Sequence, residues 1–377
     1  MDTPFTNDYG EARARFLDAA RGAGAVVSSF RLDQPGPEGI ELTTDVAWLG
    51  PRAAKAVIVT LSATHGVEGF FGSATQTEWL RRVKSKSAAL PDEVAALHIH
   101  AINPYGFAWL RRTNETNVDI NRNWVDFTKA LPTNARYDEL SQDLCPADWS
   151  EASQAQTGAR IAAWINRQGP NGAAIYQQAV SGGQWNHPRG LFYGGSEMSW
   201  SRKTLTAILT SKLDLAERVC LLDFHTGLGP YGYAEPIIGF RRDTPEFART
   251  RSWIGAGAKS LHGDGSVSSE ITGDSLSAVP ALLTHAAADV VALECGIRPV
   301  NEVASALRSD AWLHAYGDPL SPEGRRIQRQ MREAFHSDDL MWQGMALGQG
   351  LAACQAALGE LRRSAADERL AADERRG

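Results

Sequence analysis

The sequence predicts one α/β domain whose central sheet is mostly parallel or mixed and carries helices on both faces. Short apolar runs rich in β-branched residues, typical of buried strands, alternate along the chain with amphipathic segments of helical length. Several of these runs end in glycine-rich turns. A length of 377 residues, 43% of them hydrophobic, allows one large domain or two smaller ones, and the order of elements favours one.

Composition narrows the partners and the compartment. The net charge of −6 argues against a nucleic-acid partner, and no apolar run approaches the roughly 18 residues of a membrane span. The N-terminus has neither a basic start nor an apolar stretch, so no export signal is predicted. The four cysteines form no Cys-x-x-Cys pair, which argues against a thiolate zinc site or a disulfide framework. We therefore predict a reduced, cytoplasmic protein.

The first part of the chain alternates predicted helices and strands. Its helices carry apolar residues on one face, and its strands are short apolar runs bounded by glycine or proline. The predicted elements are a helix at 8–22, strands at 26–32, 40–48 and 56–61, a helix at 70–83 and a strand at 94–102.

A histidine and a glutamate follow the strand at 56–61 and are the first candidates for chemistry. His65 and Glu68 lie three residues apart, and the adjacent Gly66 and Gly69 let the backbone turn sharply where the strand gives way to a helix. At this spacing an imidazole and a carboxylate can converge on one zinc ion. The alternative is a helix start with an acidic residue in its first turn.

Two further histidines, His98 and His100, share one face of the strand at 94–102 because strand side chains alternate. They are either metal ligands or residues whose hydrogen bonds are satisfied within the sheet. The pattern favours the second interpretation.

The segment 109–124 is the second dense polar stretch. Its arginines and asparagines interleave with apolar residues, so an extended chain would present Arg111, Asn121 and Arg122 to an anionic ligand. Arginine suits this role because its planar guanidinium binds a carboxylate through two hydrogen bonds. The alternative is a solvated loop with surface ion pairs.

Periodicity weakens between about 125 and 200, where tryptophan, proline and glycine are frequent. One helix is predicted there, at 153–167. We interpret the region as an insertion that rims a pocket, with aromatic residues either at the rim or in the core.

Two later strands end in residues that apolar strands rarely carry. After a helix at 205–216, the strand at 218–224 runs into His225 and a glycine-rich loop, where open α/β sheets place their ligands. The strand at 289–296 carries Glu294 in an apolar run, where a glutamate is costly unless it is paired, titrated or near a cation. The alternative is a buried, hydrogen-bonded carboxylate.

The remaining elements complete the predicted domain, which spans 1–362. A charged tail at 363–377 repeats an Ala-Ala-Asp-Glu-Arg unit and is expected to be a frayed helix or disordered. The other predicted elements are a strand at 236–240 and helices at 322–335 and 339–361.

Five motifs in this order resemble the zinc carboxypeptidases of the carboxypeptidase A type, and most of all a bacterial branch described only as a domain of unknown function. The resemblance implies a mixed sheet of about eight strands, flanked by helices. The motifs are His65-x-x-Glu68, Asn103-Pro-Tyr-Gly-Phe107, Val118-Asp-Ile-Asn-Arg-Asn-Trp124, Asp223-Phe-His225 and Leu293-Glu294.

The resemblance also implies roles. His65, Glu68 and His225 would bind one Zn²⁺ per chain and leave a position open for water. Glu294 would be the general base for that water.

The segment 109–124 also matches the family pattern, both in residues that contact the substrate and in one that orients a metal ligand. Arg111 would stabilise the oxyanion, with Arg112 as the neighbouring alternative, and Asn121 and Arg122 would hold the substrate carboxylate. Asp119 would orient a ligand histidine.

The sequence departs from the family pattern in ways that affect activity, and the first concerns a tyrosine. The peptidases carry a mobile tyrosine about twenty residues before the catalytic glutamate, whereas 270–280 contains no tyrosine here. Tyr231 or Tyr233, in the loop after His225, could substitute.

The predicted activity is therefore a zinc hydrolase that cleaves an amide bond next to a free carboxylate, in a small peptide. An N-acyl amino acid deacylase of the aspartoacylase or succinylglutamate desuccinylase kind is the first alternative. A carboxylate-binding pseudoenzyme is the second. No Gly-x-Ser-x-Gly motif supports a serine hydrolase.

Overall fold

A mixed sheet of eight strands forms the centre of the protein, which a computed structural model describes over residues 3–263 and 265–374. The strands are β1 (Val26–Leu32), β2 (Leu42–Leu49), β3 (Ala56–Leu61), β4 (Val94–His100), β5 (Arg218–Tyr231), β6 (Ala234–Ile238), β7 (Lys259–Ser260) and β8 (Ala287–Gly296). Their order across the sheet is β1-β2-β4-β3-β5-β8-β6-β7. The predicted fold class, an α/β domain with a mixed sheet of about eight strands, is confirmed.

The four middle strands, β4, β3, β5 and β8, are parallel, and the other pairs are antiparallel except for β6 and β7. Every residue of β3 is buried, as expected for a strand covered on both faces. The chain leaves β3 for β4 on one side, while β5 lies on the other. This change of direction opens a crevice at the carboxyl ends of the strands, where α/β sheets bind ligands.

Helices cover both faces of the sheet, and a third group lies beyond the carboxyl ends of the parallel strands. The helices are α1 (Tyr9–Gly22), α2 (Gly69–Lys84), α3 (Pro104–Ala108), α4 (Ala135–Leu144), α5 (Glu151–Arg167), α6 (Gly172–Ser181), α7 (Trp200–Lys212), α8 (Pro245–Ile254), α9 (Ser275–Leu282), α10 (Val300–Tyr316), α11 (Pro322–Phe335) and α12 (Leu340–Glu374). No helix in the described part of the chain combines the length and the apolarity that crossing a membrane requires.

Three apolar clusters lie where these layers pack against one another. One packs α1, α2, α8 and α12 against one face of the sheet, and a second packs α7 and α9 against the other. A third joins α4, α5, α6, α10 and α11. The third cluster therefore places the region between 125 and 200 beside helices from the end of the chain.

Several helices were not predicted from the sequence. Between 125 and 200 the structure has α4, α5 and α6 where one helix was expected, and α10 was missed entirely. The charged tail continues α12 as far as Glu374, and its last residues, 375–377, lie outside the described part. The extent of the predicted domain, 1–362, stays a prediction.

The turn after β3 touches another backbone segment so closely that it requires glycine. A Cβ added to Gly66 would lie 2.0 Å from the carbonyl carbon of Gly106, in α3. The amides of Gly66 and Val67 donate to the carbonyls of Arg112 and Arg111. This contact fixes the direction in which the turn presents the two residues of the His-x-x-Glu motif.

We predict that Gly66→Ala lowers the free energy of unfolding by about 3 kcal/mol, because the clash is with backbone, which no side-chain rotation relieves. Denaturant unfolding monitored by circular dichroism measures this.

Gly344→Ala is the matched control. Gly344 is exposed in α12 and its added Cβ meets nothing, so alanine should stabilise the protein by about 1 kcal/mol. Equal stability of Gly66→Ala and the unchanged protein would contradict the close-contact explanation.

Candidate metal centre and active site

The structure brings the three predicted metal ligands together at the crevice. His65 follows β3, Glu68 precedes α2, and His225 lies within β5. Their side chains are buried, with Glu68 only 1% exposed. They form a group of potential ligand atoms that all lie within 4.8 Å of one another.

Both imidazoles point the same ring nitrogen at the carboxylate. Nδ1 of His65 lies 2.9 Å from Oε1 of Glu68, and Nδ1 of His225 lies 3.0 Å from Oε2. The two Nδ1 atoms are 3.2 Å apart. The electrostatic balance matches this geometry: burial alone would raise the pKa of Glu68, but His65 and His225 outweigh it and hold the pKa well below its usual range.

The opposite ring nitrogens face carboxylates. Nε2 of His65 lies 3.2 Å from Asp119, and Nε2 of His225 lies 3.0 Å from Asp223. Asp119 is the residue predicted from the sequence to orient a ligand histidine. The Thr64 hydroxyl in turn donates to Asp223. Such carboxylate–histidine pairs fix the ring orientation and the tautomer of metal-ligating histidines.

This donor set fits a zinc ion. Two imidazole nitrogens and one carboxylate, backed by second carboxylates, are what zinc hydrolases use, and three protein ligands leave a coordination position free. His65 and His225 also line the cavity described below, so a ligand in that position would be accessible. A role for His98 and His100 is not supported, because both are buried in β4 and bonded to Thr60 and Ser73.

Arg112, not Arg111, contacts the cluster. Its guanidinium donates to Glu68 at 3.0 Å and to Asp119 at 2.9 Å, and its Nη2 lies 2.8 Å from Nε2 of His65. Arg111 instead donates to Asn117 and lies 3.7 Å from Asp310, and it does not line the cavity. Of the two arginines named in the sequence analysis, Arg112 is therefore the one that lies at the cluster.

The local backbone explains why Arg112, and not Arg111, faces the cluster. Leu110 has a φ of 54°, so the chain reverses there, and simple alternation no longer decides which side chain faces inward. The contact of the next two carbonyls with the turn at Gly66 then sets the orientation.

Glu294 lies beside the ligands because of the sheet register. Its strand β8 pairs in parallel with β5 and places Glu294 opposite His225. Burial, together with the charge of Glu68, raises the pKa of Glu294 to about 7, and the Leu228 amide donates to its Oε1 at 3.0 Å. A carboxylate with a pKa near neutrality is well matched to accepting and returning a proton.

Asn121 and Arg122 line the same cavity as the ligands. The side-chain oxygen of Asn121 accepts hydrogen bonds from Ser275, which leaves its amide nitrogen as the group that can donate to a ligand. Arg122 donates to the carbonyls of Ser181 and of Asn121. Burial lowers the pKa of Arg122 to about 10, so the group remains a cation at neutral pH.

Phe192 was not anticipated from the sequence, and no motif marks it. Its ring contacts two guanidinium groups, whose central carbons lie 5.0 Å (Arg112) and 5.2 Å (Arg122) from the ring centroid. Its φ of 53° is unusual for a bulky residue. The ring therefore holds both arginines at the cavity by cation–π contacts.

Tyr231 and Tyr233 do not replace the family's mobile tyrosine in this structure. Strand β5 continues past His225 to Tyr231, which pairs with Gly296 instead of ending a mobile loop. The Tyr231 hydroxyl donates to Asp339, and both tyrosines are exposed and absent from the cavity wall. Tyr176, in α6, does line the cavity.

The site opens into a cavity of about 550 Å³. The two histidines, Glu294, Arg112, Asn121 and Arg122 all line its wall. Helices α5, α6 and α10, the loop before α7, the segment 261–276 and strands β6 and β8 supply most of the rest. A cavity of this size accommodates a small organic ligand.

A family model described as "Protein of unknown function (DUF2817)" matches residues 5–349. The chain belongs to this family. The match agrees with the resemblance to a branch described only as a domain of unknown function. No curated protein matches the chain.

Solved structures similar to this chain include proteins described as carboxypeptidases. Bovine thrombin-activatable fibrinolysis inhibitor has 11% identity and a TM-score of 0.48, covering 96% of this chain and 99% of that one. Carboxypeptidase A from Helicoverpa armigera has 12% identity and a TM-score of 0.48, covering 89% and 75%. Succinylglutamate desuccinylase from Chromobacterium violaceum has 13% identity and a TM-score of 0.37, covering 85% and 76%. Identities of 11–13% and TM-scores below 0.5 carry no argument about function, so any proposed function must rest on the geometry of the site.

We predict that the purified protein, after zinc loading and dialysis, holds about one zinc per chain, because its donor set suits one ion. His225→Ala should lose most of it, since that histidine supplies one of the three ligands. Elemental analysis by mass spectrometry measures the ratio.

His187→Ala is the control, because His187 pairs with Asp138 at a partly exposed position outside the site. Undiminished zinc in His225→Ala, or equal loss in the control, would sink the metal assignment.

Proposed function

We propose that this protein is a zinc-dependent hydrolase that cleaves an amide bond next to a free carboxylate. The observation that carries the proposal is the convergence of His65, Glu68 and His225 beside Glu294, in a cavity that also contains Asn121 and Arg122. A metal site, a base and a carboxylate-binding pair are the three elements that such a reaction requires.

The carboxylate of the substrate would bind at Asn121 and Arg122. The amide nitrogen of Asn121 is available to donate because its oxygen is held by Ser275. Arg122 supplies a buried positive charge with a fixed orientation, which favours a carboxylate over a neutral group. Binding there would position the amide bond along the cavity toward Glu294.

Glu294 would take a proton from the attacking water and pass it to the leaving amine. Its raised pKa suits both halves of that transfer. Arg112 would donate to the carbonyl oxygen as negative charge develops on it. A zinc ion held by the three ligands would supply Lewis acidity, which lowers the pKa of water and polarises a carbonyl.

Two other functions compete with peptide hydrolysis. Deacylation of an N-acyl amino acid uses the same carboxylate-binding pair and base. The apolar residues that line much of the cavity favour this reaction over cleavage of extended peptides. A pseudoenzyme that binds carboxylates would use Asn121 and Arg122 alone. Turnover of any N-acyl amino acid or dipeptide by the zinc-loaded protein excludes the pseudoenzyme.

We predict that Glu294→Gln lowers kcat by about 10²–10⁴-fold, because glutamine cannot accept the proton. Zinc content should stay at the level of the unchanged protein, since Glu294 is not a ligand. Steady-state hydrolysis of N-acyl amino acids and dipeptides, paired with metal analysis, tests this. Unchanged turnover would remove Glu294 from the mechanism.

A second prediction separates the two adjacent arginines. Arg112→Gln should lower kcat by about 10²–10³-fold, because it removes a donor from the developing oxyanion.

Arg111→Gln is the matched control and should leave kcat/KM nearly unchanged, because Arg111 lies outside the cavity lining beside Asp310. Thermal unfolding of both variants identifies losses caused by instability. A larger loss of kcat in Arg111→Gln than in Arg112→Gln would reverse the assignment.

A further inference from the structure

The apolar residues of the cavity wall come from two sets of elements. The first group comes from β6, β8 and the segment 261–276, and it includes Leu276, which follows the serine that holds Asn121. The second comes from α5, α6, the loop before α7, and α10. We call the second group the apolar compartment, which is lined by Ile165, Tyr176, Val180, Leu191, Val303 and Leu307.

The position of the carboxylate-binding pair assigns the two groups to different parts of a substrate. An amide next to a free carboxylate has an amino-acid side chain on one side and an acyl group on the other. The first group adjoins Asn121 through Ser275, so we assign it to the amino-acid side chain. The apolar compartment is then left for the acyl group.

The compartment adjoins the two arginines of the site. Val180 precedes Ser181, whose carbonyl accepts from Arg122, and Leu191 precedes Phe192, whose ring contacts Arg112 and Arg122. At the other wall, α10 begins six residues after Glu294. An acyl chain attached to a carbonyl at Arg112 would therefore enter the compartment at once.

The cation beside the compartment, Arg308, already hydrogen-bonds to groups that lie outside the cavity lining. Arg308 is the charged residue nearest to it in sequence, one residue after Leu307, and it lines the cavity. Its guanidinium already donates to the carbonyls of Asp143 and Leu144 and to the Thr157 hydroxyl. A succinyl group would thus bury its free carboxylate against apolar side chains, which is costly.

The compartment also reaches solvent. Val300, at the start of α10, is 56% exposed, and Ala173 on α6 is exposed as well, yet both line the cavity. The mouth between α6 and α10 therefore lets a chain of several carbons extend outward. Acyl groups of medium length and single aromatic rings fit this shape without requiring an enclosed end.

We propose that the site accepts N-acyl amino acids whose acyl group is apolar, either a medium-length alkyl chain or an aryl group, and discriminates against acetyl and succinyl groups. This inference rests on the proposed hydrolase function for its assignment of the two sides of the amide. Binding to the apolar compartment is a property that can be measured without turnover.

The test compares N-octanoyl-, N-benzoyl-, N-acetyl- and N-succinyl-leucine. Binding to zinc-loaded Glu294→Gln is measured by calorimetry, and hydrolysis by the unchanged zinc-loaded protein is measured in parallel. We expect N-octanoyl-leucine to bind about 100-fold more tightly than the acetyl and succinyl compounds, because burying additional methylene groups is favourable.

Ala304→Phe narrows the compartment from α10, where Ala304 is partly buried and lines the cavity. We expect it to weaken binding of N-octanoyl-leucine about 10-fold or more and to change that of N-acetyl-leucine little, because only the longer chain needs the space. Ser305→Phe is the matched control, since Ser305 is exposed on the same helix and outside this cavity. Ala173→Phe repeats the test from the opposite wall if Ala304→Phe lowers the Tm.

The outcomes separate the two proposals. Selective binding of N-octanoyl-leucine that is lost in Ala304→Phe but kept in Ser305→Phe supports the inference. If the same selective binding occurs and no compound is hydrolysed, the inference stands and the proposed hydrolase function fails. Hydrolysis that favours acetyl or succinyl compounds and does not respond to Ala304→Phe overturns the inference and leaves the hydrolase function in place.

Discussion

The buried carboxylate of Glu68 imposes the constraint on which the rest of the site depends. An ion withdrawn from water must be compensated by opposite charge and hydrogen bonds, and removing one partner of such a group costs about 3–5 kcal/mol. Here the compensation comes from His65, His225, Arg112 and the Thr226 amide. These groups belong to the turn after β3, to β5 and to the segment after α3. The groups that compensate this carboxylate therefore come from segments far apart in sequence, which the fold must bring together.

Compensation continues outward from that carboxylate. Asp119 contacts both His65 and Arg112, and burial alone would raise its pKa, but the two nearby arginines, Arg112 and Arg122, outweigh burial and hold the pKa well below its usual range. The proton on Nε2 of His65 decides whether that nitrogen donates to Asp119 or accepts from Arg112, because both lie within hydrogen-bond distance. The ligands and the arginine proposed for the oxyanion thus share one hydrogen-bond network.

The sequence was informative where chemistry and secondary structure coincide. His65, Glu68, His225 and Glu294 each stand at or near the end of an apolar strand, so their convergence follows from parallel pairing. The sequence was less informative where tertiary contacts decide which side chain faces the site. The choice between Arg111 and Arg112 depends on the left-handed Leu110 and on hydrogen bonds to a distant turn.

Helix α10 was overlooked for a different reason. Its apolar positions, including Val303, Ala306 and Leu307, do have helical spacing, but polar residues and alanines between them weaken the signal. The tyrosines after His225 were misplaced because glycine-rich sequence was interpreted as a loop, whereas β5 continues through it as far as Tyr231.

The register of β5 and β8 also fixes the distance between two residues of the site. Neighbouring strands lie about 4.8 Å apart, so hydrogen bonds of the sheet hold His225 and Glu294 at a nearly constant separation. The acyl side, in contrast, is built from surface helices outside the sheet. Relatives could therefore exchange α6 and α10 residues and acquire new preferences while inheriting the same reaction.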